Sequence, residues 1–395
     1  MIELKFRNRS VPKSSGDRSY GCDLSTSSSD AETKTAGPCC TAELKKTLIW
    51  LKGTVMTKVG PVPRISTSLS RKDYQEHIKC RISAFRNNYH VPPGLYAAGE
   101  PDKSSDVFVS ANYKLSFDAL RSELKDINAW LLVLDTKGIN VWCAAGKGTF
   151  GTEELARRIA ITRLAEVVEH RRLVVPQLGA PGVSAHKVKQ STGFRVFFGP
   201  MLAKDIPGYI HSGYKATQAM RTASFPLLDR LVLTPMEIRP ALKWYGWFAL
   251  LMLIAFGLQP SGIFFREAWS GGLPFLSLGL VAIIAGALLT PVLLPFIPFS
   301  SFAVKGWIVG MFSVFSFVQF TEWKEQTTFV LLNCAYLFFP MASSYIALQF
   351  TGSTTYTGMS GVKKELKIAI PVYLISGSVS LVLLVAHKLM QWRII

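Results

Sequence analysis

Five apolar runs, each about 20 residues long, follow one another from Trp244 to the end of the chain, and they constrain its fold more than any other feature. They read WYGWFALLMLIAFGL, LPFLSLGLVAIIAGALLTPVLLPFIP, FAVKGWIVGMFSVFSFVQF, TTFVLLNCAYLFFPMASSYIALQF and IAIPVYLISGSVSLVLLVAH, with charges almost only between them. A soluble core cannot hide five such helices in succession, so the reading is an all-α transmembrane region of about five helices. Lys305 lies inside the third run; it must snorkel to the interface for that run to span, and otherwise the count is four. Trp244, Tyr245, Trp247, Trp269, Trp307 and Trp323 sit near run ends, where an aromatic belt is expected.

The basic loops orient the region. With the N-terminal part inside, the inner loops carry Lys305, Lys363, Lys364 and Lys367, while Arg266 and Lys324 outside are diluted by Glu267, Glu322 and Glu325. The tail, with Lys388 and Arg393, argues mildly the other way. Residues 1 to 40 lack the apolar stretch of a secretory signal. The expectation is a multi-pass protein of the cytoplasmic (inner) membrane with its first domain in the cytoplasm.

The chain carries a net charge of +18, of which +13 belongs to the first 240 residues. That excess is spread out, without base-stacking aromatics or a nucleic-acid module, so it suits anionic lipid or an acidic protein and not nucleic acid. Cys22, Cys39, Cys40, Cys80, Cys143 and Cys334 show no repeated CxxC spacing, hence neither a zinc site nor a disulfide framework. Cys39 and Cys40 are read as part of a flexible tail, a soft-metal thiol pair being the alternative. Cys334, in an apolar run, reads as a packing residue.

Three domains are expected: a Ser-rich, largely disordered extension over 1–60 with a short helix near ELKKTLIWLKG, a cytoplasmic domain over 61–240, and the helical membrane domain over 241–395. In the second, DVFVSANY, AWLLVLDT, RRLVVPQ, FRVFFGP and RLVLTPM read as buried strands, with SFDALRSELKDI and TEELARRIAITRLAEVVEH as helices between them. A further helix is placed near KATQAMRTAS. The alternation implies an α/β domain with a mainly parallel sheet.

Ligands of such sheets bind beyond the carboxyl ends of the strands. There lies INVWCAAGKGTFG, residues 139 to 151, between the strand ending near Asp135 and a helix for which Thr152 is a plausible cap. Gly146, Gly148 and Gly151 spell G-x-G-x-x-G, the spacing of a dinucleotide site, but the next strand ends in Pro176 and Gln177 where an acid is needed. A phosphate-binding loop would need glycine at Val141 and Ser or Thr at Gly148. A glycine-rich turn around a buried thiol is the third reading.

The octapeptide NVWCAAGK, with VPPGLYAAGEP, SANYKLSFDALR and VVPQLGAPGVSAHKVK around it, resembles the corrinoid-binding family that contains the mercury-methylation corrinoid proteins and the corrinoid subunit of the acetyl-CoA pathway iron-sulfur protein. The similarity covers about residues 90 to 240. It implies a Rossmann-like α/β corrinoid-binding domain holding a cobalamin-type corrinoid with its cobalt. Cys143 would lie on a cap helix as the axial cobalt ligand and the catalytic residue. The resemblance makes Asn140, Val141, Trp142, Cys143, Ala144, Ala145, Gly146, Lys147, Gly148 and Thr149 the cofactor-binding set. Small residues at 144, 145, 146 and 148 would let the backbone approach a flat macrocycle. Asn140 and Trp142 would hydrogen-bond and shield the thiolate, and Lys147 would meet a corrin amide or help keep the thiol ionised.

A corrinoid domain followed by membrane helices is most similar to the mercury-methylation members. That implies methyl transfer from cobalt to Hg(II), a thiolate ligand favouring transfer to an electrophile. The alternative is a membrane-anchored methyl carrier of one-carbon metabolism. Implied partners are a ferredoxin-like protein with two 4Fe-4S clusters and a folate-linked methyltransferase. The membrane region reads as an anchor or dimerisation platform more readily than as a conduit, for which Cys334 and Met341 would be the residues to test.

Overall fold

The computed structural model describes residues 48–83, 85–222, 225–353 and 359–394. A mixed α/β sheet domain of about 200 residues is followed by five long apolar helices. Cys22, Cys39, Cys40 and most of the Ser-rich extension lie outside the described residues.

The sheet is built from β1 (Leu51–Thr57), β2 (Gly60–Ile65), β3 (Gly94–Ala98), β4 (Val107–Ala111), β5 (Ala129–Leu134), β6 (Arg172–Val175) and β7 (Arg195–Phe198). Their order is β1-β2-β3-β5-β4-β6-β7. The block β5-β4-β6-β7 is parallel; β3 runs antiparallel to β5, and β1 and β2 form an antiparallel hairpin at one edge. Every residue of β4 and β5 is buried, as expected for strands covered on both faces. Between them run α1 (Arg71–Ile82), α2 (Lys114–Glu123), α3 (Val141–Lys147), α4 (Thr152–Ile161) and α5 (Ala185–Thr192). The chain steps from β4 to β5 through α2, then back past β4 to β6 through α4. Right-handed crossovers therefore set α2 and α4 on opposite faces, and the gap beyond β4 and β6 is a topological switch point.

α1 and α2 are joined by buried charges. Lys114 Nζ lies 2.7 Å from Asp73, 3.2 Å from Glu76 and 2.9 Å from Asp118, and Arg121 reaches Asp73 at 2.8 Å and Asp118 at 2.7 Å. Arg121 also donates to the Ser66 carbonyl at the end of β2, and His77 Nε2 meets Asp118 at 2.7 Å. The side chains of Lys114, Asp118 and Arg121 are inaccessible to solvent. Such ions are tolerated only when fully paired. Ser70 and Asp73 close a capping box that starts α1 and holds one of these carboxylates in place.

The long helices are α6 (Leu227–Gly257), α7 (Phe265–Ile284, continued through one π-turn to Leu293), α8 (Phe302–Phe320), α9 (Phe329–Gln349) and α10 (Met359–Gln391). All five are long and apolar enough to cross a membrane. Lys305 sits in the first turn of α8 and donates to the Leu294 carbonyl at 2.7 Å, so it closes the end of the preceding segment and does not interrupt the third run. Cys334 is buried, its Sγ meeting the Ser380 carbonyl at 3.4 Å.

Three expectations need correction. RLVLTPM, read as a strand, lies in α6, where Pro235 and Pro240 are accommodated inside the helix. The C-terminal part of ELKKTLIWLKG, expected to be helical, is a turn at Ile49 and Trp50 followed by β1, so the sheet begins within the segment expected to be disordered. Strand β3, unrecognised in VPPGLYAAG, pairs with β5 along its whole length.

Candidate functional site at the switch point

β5 ends at Leu134, and a tight turn delivers the chain to α3. Asn112, following β4, fixes that turn: its Oδ1 accepts the backbone N–H of Thr136 and of Gly138, each at 3.0 Å. Lys137 and Gly138 both have positive φ, and a Cβ on Gly138 would collide with the His90 ring. Asn140 then caps α3, its Oδ1 accepting the backbone N–H of Cys143 at 2.8 Å.

α3 is two turns long and ends at Gly148 in the left-handed conformation. Val141, Ala144 and Ala145 are buried and belong to the domain core, while Trp142 and Cys143 are half-buried and Gly146, Lys147 and Gly148 are exposed. A Cβ on Gly182 would strike the Phe150 carbonyl oxygen and lie 3.0 Å from Ala145 Cα, so the loop before α5 is pressed against the inner side of α3. Phe150, fully buried, donates its N–H to the Ala144 carbonyl at 3.1 Å and completes that seat.

A cavity of about 340 Å³ opens beside α3. Its walls are Phe108 to Ser110 of β4, Ser116, Ala119 and Leu120 of α2, Asn140 to Trp142, Val174 of β6 with Pro176 just after it, and Gly199 to Ala203 after β7. It thus lies at the switch point between β4 and β6. The α2 wall is held from behind by the buried ions, since Lys114, Asp118 and Arg121 occupy the opposite side of that helix.

Nearby groups are tuned by these surroundings. Burial pushes the Tyr113 hydroxyl up to about 12. Burial would raise Asp135, but the Lys137 ammonium and backbone N–H hold it below the usual carboxylate range.

Of the ten expected residues, the structure brings Asn140, Val141 and Trp142 together in the cavity wall; Cys143 follows Trp142 on α3 and is half-buried, as is Thr149. Ala144 and Ala145 face the core, so the small outward residues are Gly146 and Gly148. Asn140 Oδ1 bonds the Cys143 backbone N–H. Lys147 ends α3, where a cation suits the helix dipole. Thr152 is the first residue of α4 and Gly151 its cap, so Thr152 does not cap through its side chain; its Oγ1 accepts the Ser184 N–H at 2.9 Å. The glycine spacing does not form a dinucleotide turn, because α3 separates β5 from it and Gly148 serves as a helix end. Sequence reasoning missed the wall at Gly199 to Ala203 and the ion cluster behind α2; the only local trace of the latter was the Lys114–Asp118 spacing of four.

Fold and site define an α/β domain with a cavity at its switch point walled in part by a thiol-bearing helix, joined to a bundle of apolar helices. Residues 82–210, which contain the whole site, match the family of the CO dehydrogenase/acetyl-CoA synthase delta subunit. Acetyl-CoA decarbonylase/synthase complex subunit gamma of Methanopyrus kandleri is 34% identical over 134 residues, 33% of this chain and 29% of that protein. The Archaeoglobus fulgidus subunit gamma is 34% identical over 131 residues, 33% and 27% of the two chains. The corrinoid/iron-sulfur protein large subunit of Moorella thermoacetica is 29% identical over 148 residues, 35% and 33%. The chain spans a third or less of these relatives, and this part of it is related to the corrinoid protein of the acetyl-CoA pathway.

Proposed function

We propose that this protein is a membrane-anchored corrinoid protein of one-carbon metabolism, whose Rossmann-like domain carries a methyl group between protein partners. The half-exposed Cys143 on α3, next in the chain to Trp142 of the cavity wall and within the segment related to the acetyl-CoA pathway corrinoid protein, carries the reading. The donor set fits a cobalamin-type group. Among the described residues no three His, Cys, Asp or Glu side chains gather to hold a bare ion. A metal at Cys143 would therefore need its other ligands from the group that brings it, as cobalt in a corrin has.

When bound, the corrinoid supplies a cobalt centre able to accept and release a methyl group. Cys143 would offer that metal one sulfur ligand, its backbone N–H being held by the Asn140 cap. Val141 and Trp142 wall the cavity, Gly146 and Gly148 leave the outer side of α3 open, and Ala144 and Ala145 seat the helix. Lys147 and Thr149 add a cation and a hydroxyl for the polar edge of the group. A folate-linked methyltransferase serves as methyl donor, and a ferredoxin-like protein with two 4Fe-4S clusters supplies electrons. The five apolar helices span the cytoplasmic membrane, with the α/β domain on the inner, lysine-rich side.

Hg(II) as methyl acceptor is the second reading, favoured by the thiol itself: an anionic sulfur ligand enriches the metal in electrons, which suits transfer to an electrophile. The names of the relatives support the carrier reading and leave the acceptor open. Full-length protein loaded anaerobically with methylated cobalamin decides between them when offered either tetrahydrofolate with its methyltransferase or thiol-bound Hg(II). Methyltetrahydrofolate alone supports the carrier, methylmercury supports the second reading, and neither product from a loaded protein contradicts both.

A further inference from the structure

α1 is built inside out. Its buried face is Asp73, Glu76 and Cys80, turned toward the Lys114–Arg121 cluster, while Tyr74, Ile78 and Ile82, four residues apart, are 57%, 56% and 50% exposed. These three form one stripe along the helix. Arg71, Lys72 and Lys79 are exposed beside it. In water a helix places its charges outward and its aliphatic residues inward; the reverse marks a face that meets an apolar phase.

The position of α1 identifies that phase. α1 packs against α6, and Arg86, one turn beyond α1, reaches Met236 Sδ at 3.8 Å. On one side of Met236, Arg230 caps the end of α7 by donating to the Pro291 and Val292 carbonyls. On the other, Glu237 shares a cavity wall with Gln349, the last residue of α9. Met236 is thus level with the ends of the long helices nearest the α/β domain. Leu227, Leu228, Leu231 and Val232 of α6 continue the exposed apolar surface.

We infer that α1 is an interfacial helix lying on the anionic leaflet of the membrane. Tyr74, Ile78 and Ile82 enter the acyl boundary while Arg71, Lys72 and Lys79 meet lipid phosphates and carboxylates. The inference rests on the reading of the five helices as membrane spans. Because α1 is bolted to α2 by the buried ions, and α2 walls the cavity, the lipid surface fixes the height and tilt of the methyl-transfer site above the membrane.

The test uses the full chain in vesicles of phosphatidylcholine with and without phosphatidylglycerol. A benzophenone amino acid is placed at Ile78, at exposed Phe312 of α8 as the membrane control, and at exposed Ile161 of α4 as the aqueous control. Mass spectrometry of the irradiated protein should find phospholipid on the peptides bearing 78 and 312, several-fold more than on that bearing 161. Addition at 78 should rise with phosphatidylglycerol, and Lys72→Glu with Lys79→Glu should remove that rise. Lipid at 312 but no lipid adduct at position 78, or cross-links there only to a second copy or to residues 1–47, would overturn the interfacial helix alone. Absence of lipid at 312 would overturn the membrane reading with it.

Discussion

The carboxamide oxygen of Asn140 accepts the backbone N–H of Cys143 at 2.8 Å, so the thiol stands on a helix whose first turn is set by one side chain. Removing this cap in Asn140→Ala should cost about 1 kcal/mol. The loss should appear as faster hydrogen exchange across residues 141–147 and weaker retention of cobalamin. Asn140→Asp, which keeps an acceptor, should restore both. Equal damage from the two substitutions would show that the cap does not govern the site.

Gly182 sets the seat of the same helix from the other side. In Gly182→Ala the new methyl meets the Phe150 carbonyl and the Ala145 backbone, neither of which is the end of a flexible side chain. Overpacking of this kind costs roughly 1–3 kcal/mol. Limited proteolysis should cut within 141–151 in this variant sooner than in the wild type, while the long helices stay protected.

The ion cluster between α1 and α2 makes the domain sensitive to acid. Burial would raise Asp73 and Asp118, but hydrogen bonds from Lys114 and Ser70 to Asp73, and from His77 and Arg121 to Asp118, hold both below the usual carboxylate range. Lys114 is desolvated too, yet the facing carboxylates hold it above its ordinary value. A depressed carboxylate stabilises the folded state above its unfolded pKa of about 4 and loses that contribution as the pH falls further. Thermal melts of the α/β domain in the intact chain should be level from pH 7 to 5 and fall steeply below about pH 4. Lys114→Met, which takes the cation from Glu76 and leaves Asp73 and Asp118 to share Arg121, should destabilise by about 3–5 kcal/mol at neutral pH. A flat profile into acid would mean that the cluster contributes no net stability.

Much of this fold was written locally. β4, β5, β6 and β7 are short runs rich in Val, Leu and Phe, and the five apolar helices follow from length and hydropathy alone. RLVLTPM was misread because an apolar, branched run has no period that separates strand from buried helix; the structure accommodates Pro235 inside α6. β3 escaped notice because its edge residues are Gly and Ala, which carry little strand preference; its pairing with β5 is a long-range fact. Of the cavity wall, Asn140, Val141 and Trp142 lie in the one short segment that the sequence singles out. The site was not legible at Gly199 to Ala203, or in the charges of α1 and α2, which lie some forty residues apart and meet only in three dimensions.

Ligation of cobalt by Cys143 is the claim on which the functional account rests, and X-ray absorption at the cobalt edge of the cobalamin-loaded full-length protein tests it most directly. The account predicts a sulfur neighbour in the wild type that disappears in Cys143→Ala while cobalamin is still bound. A wild-type spectrum without sulfur, or a sulfur signal that survives in Cys143→Ala, would contradict it.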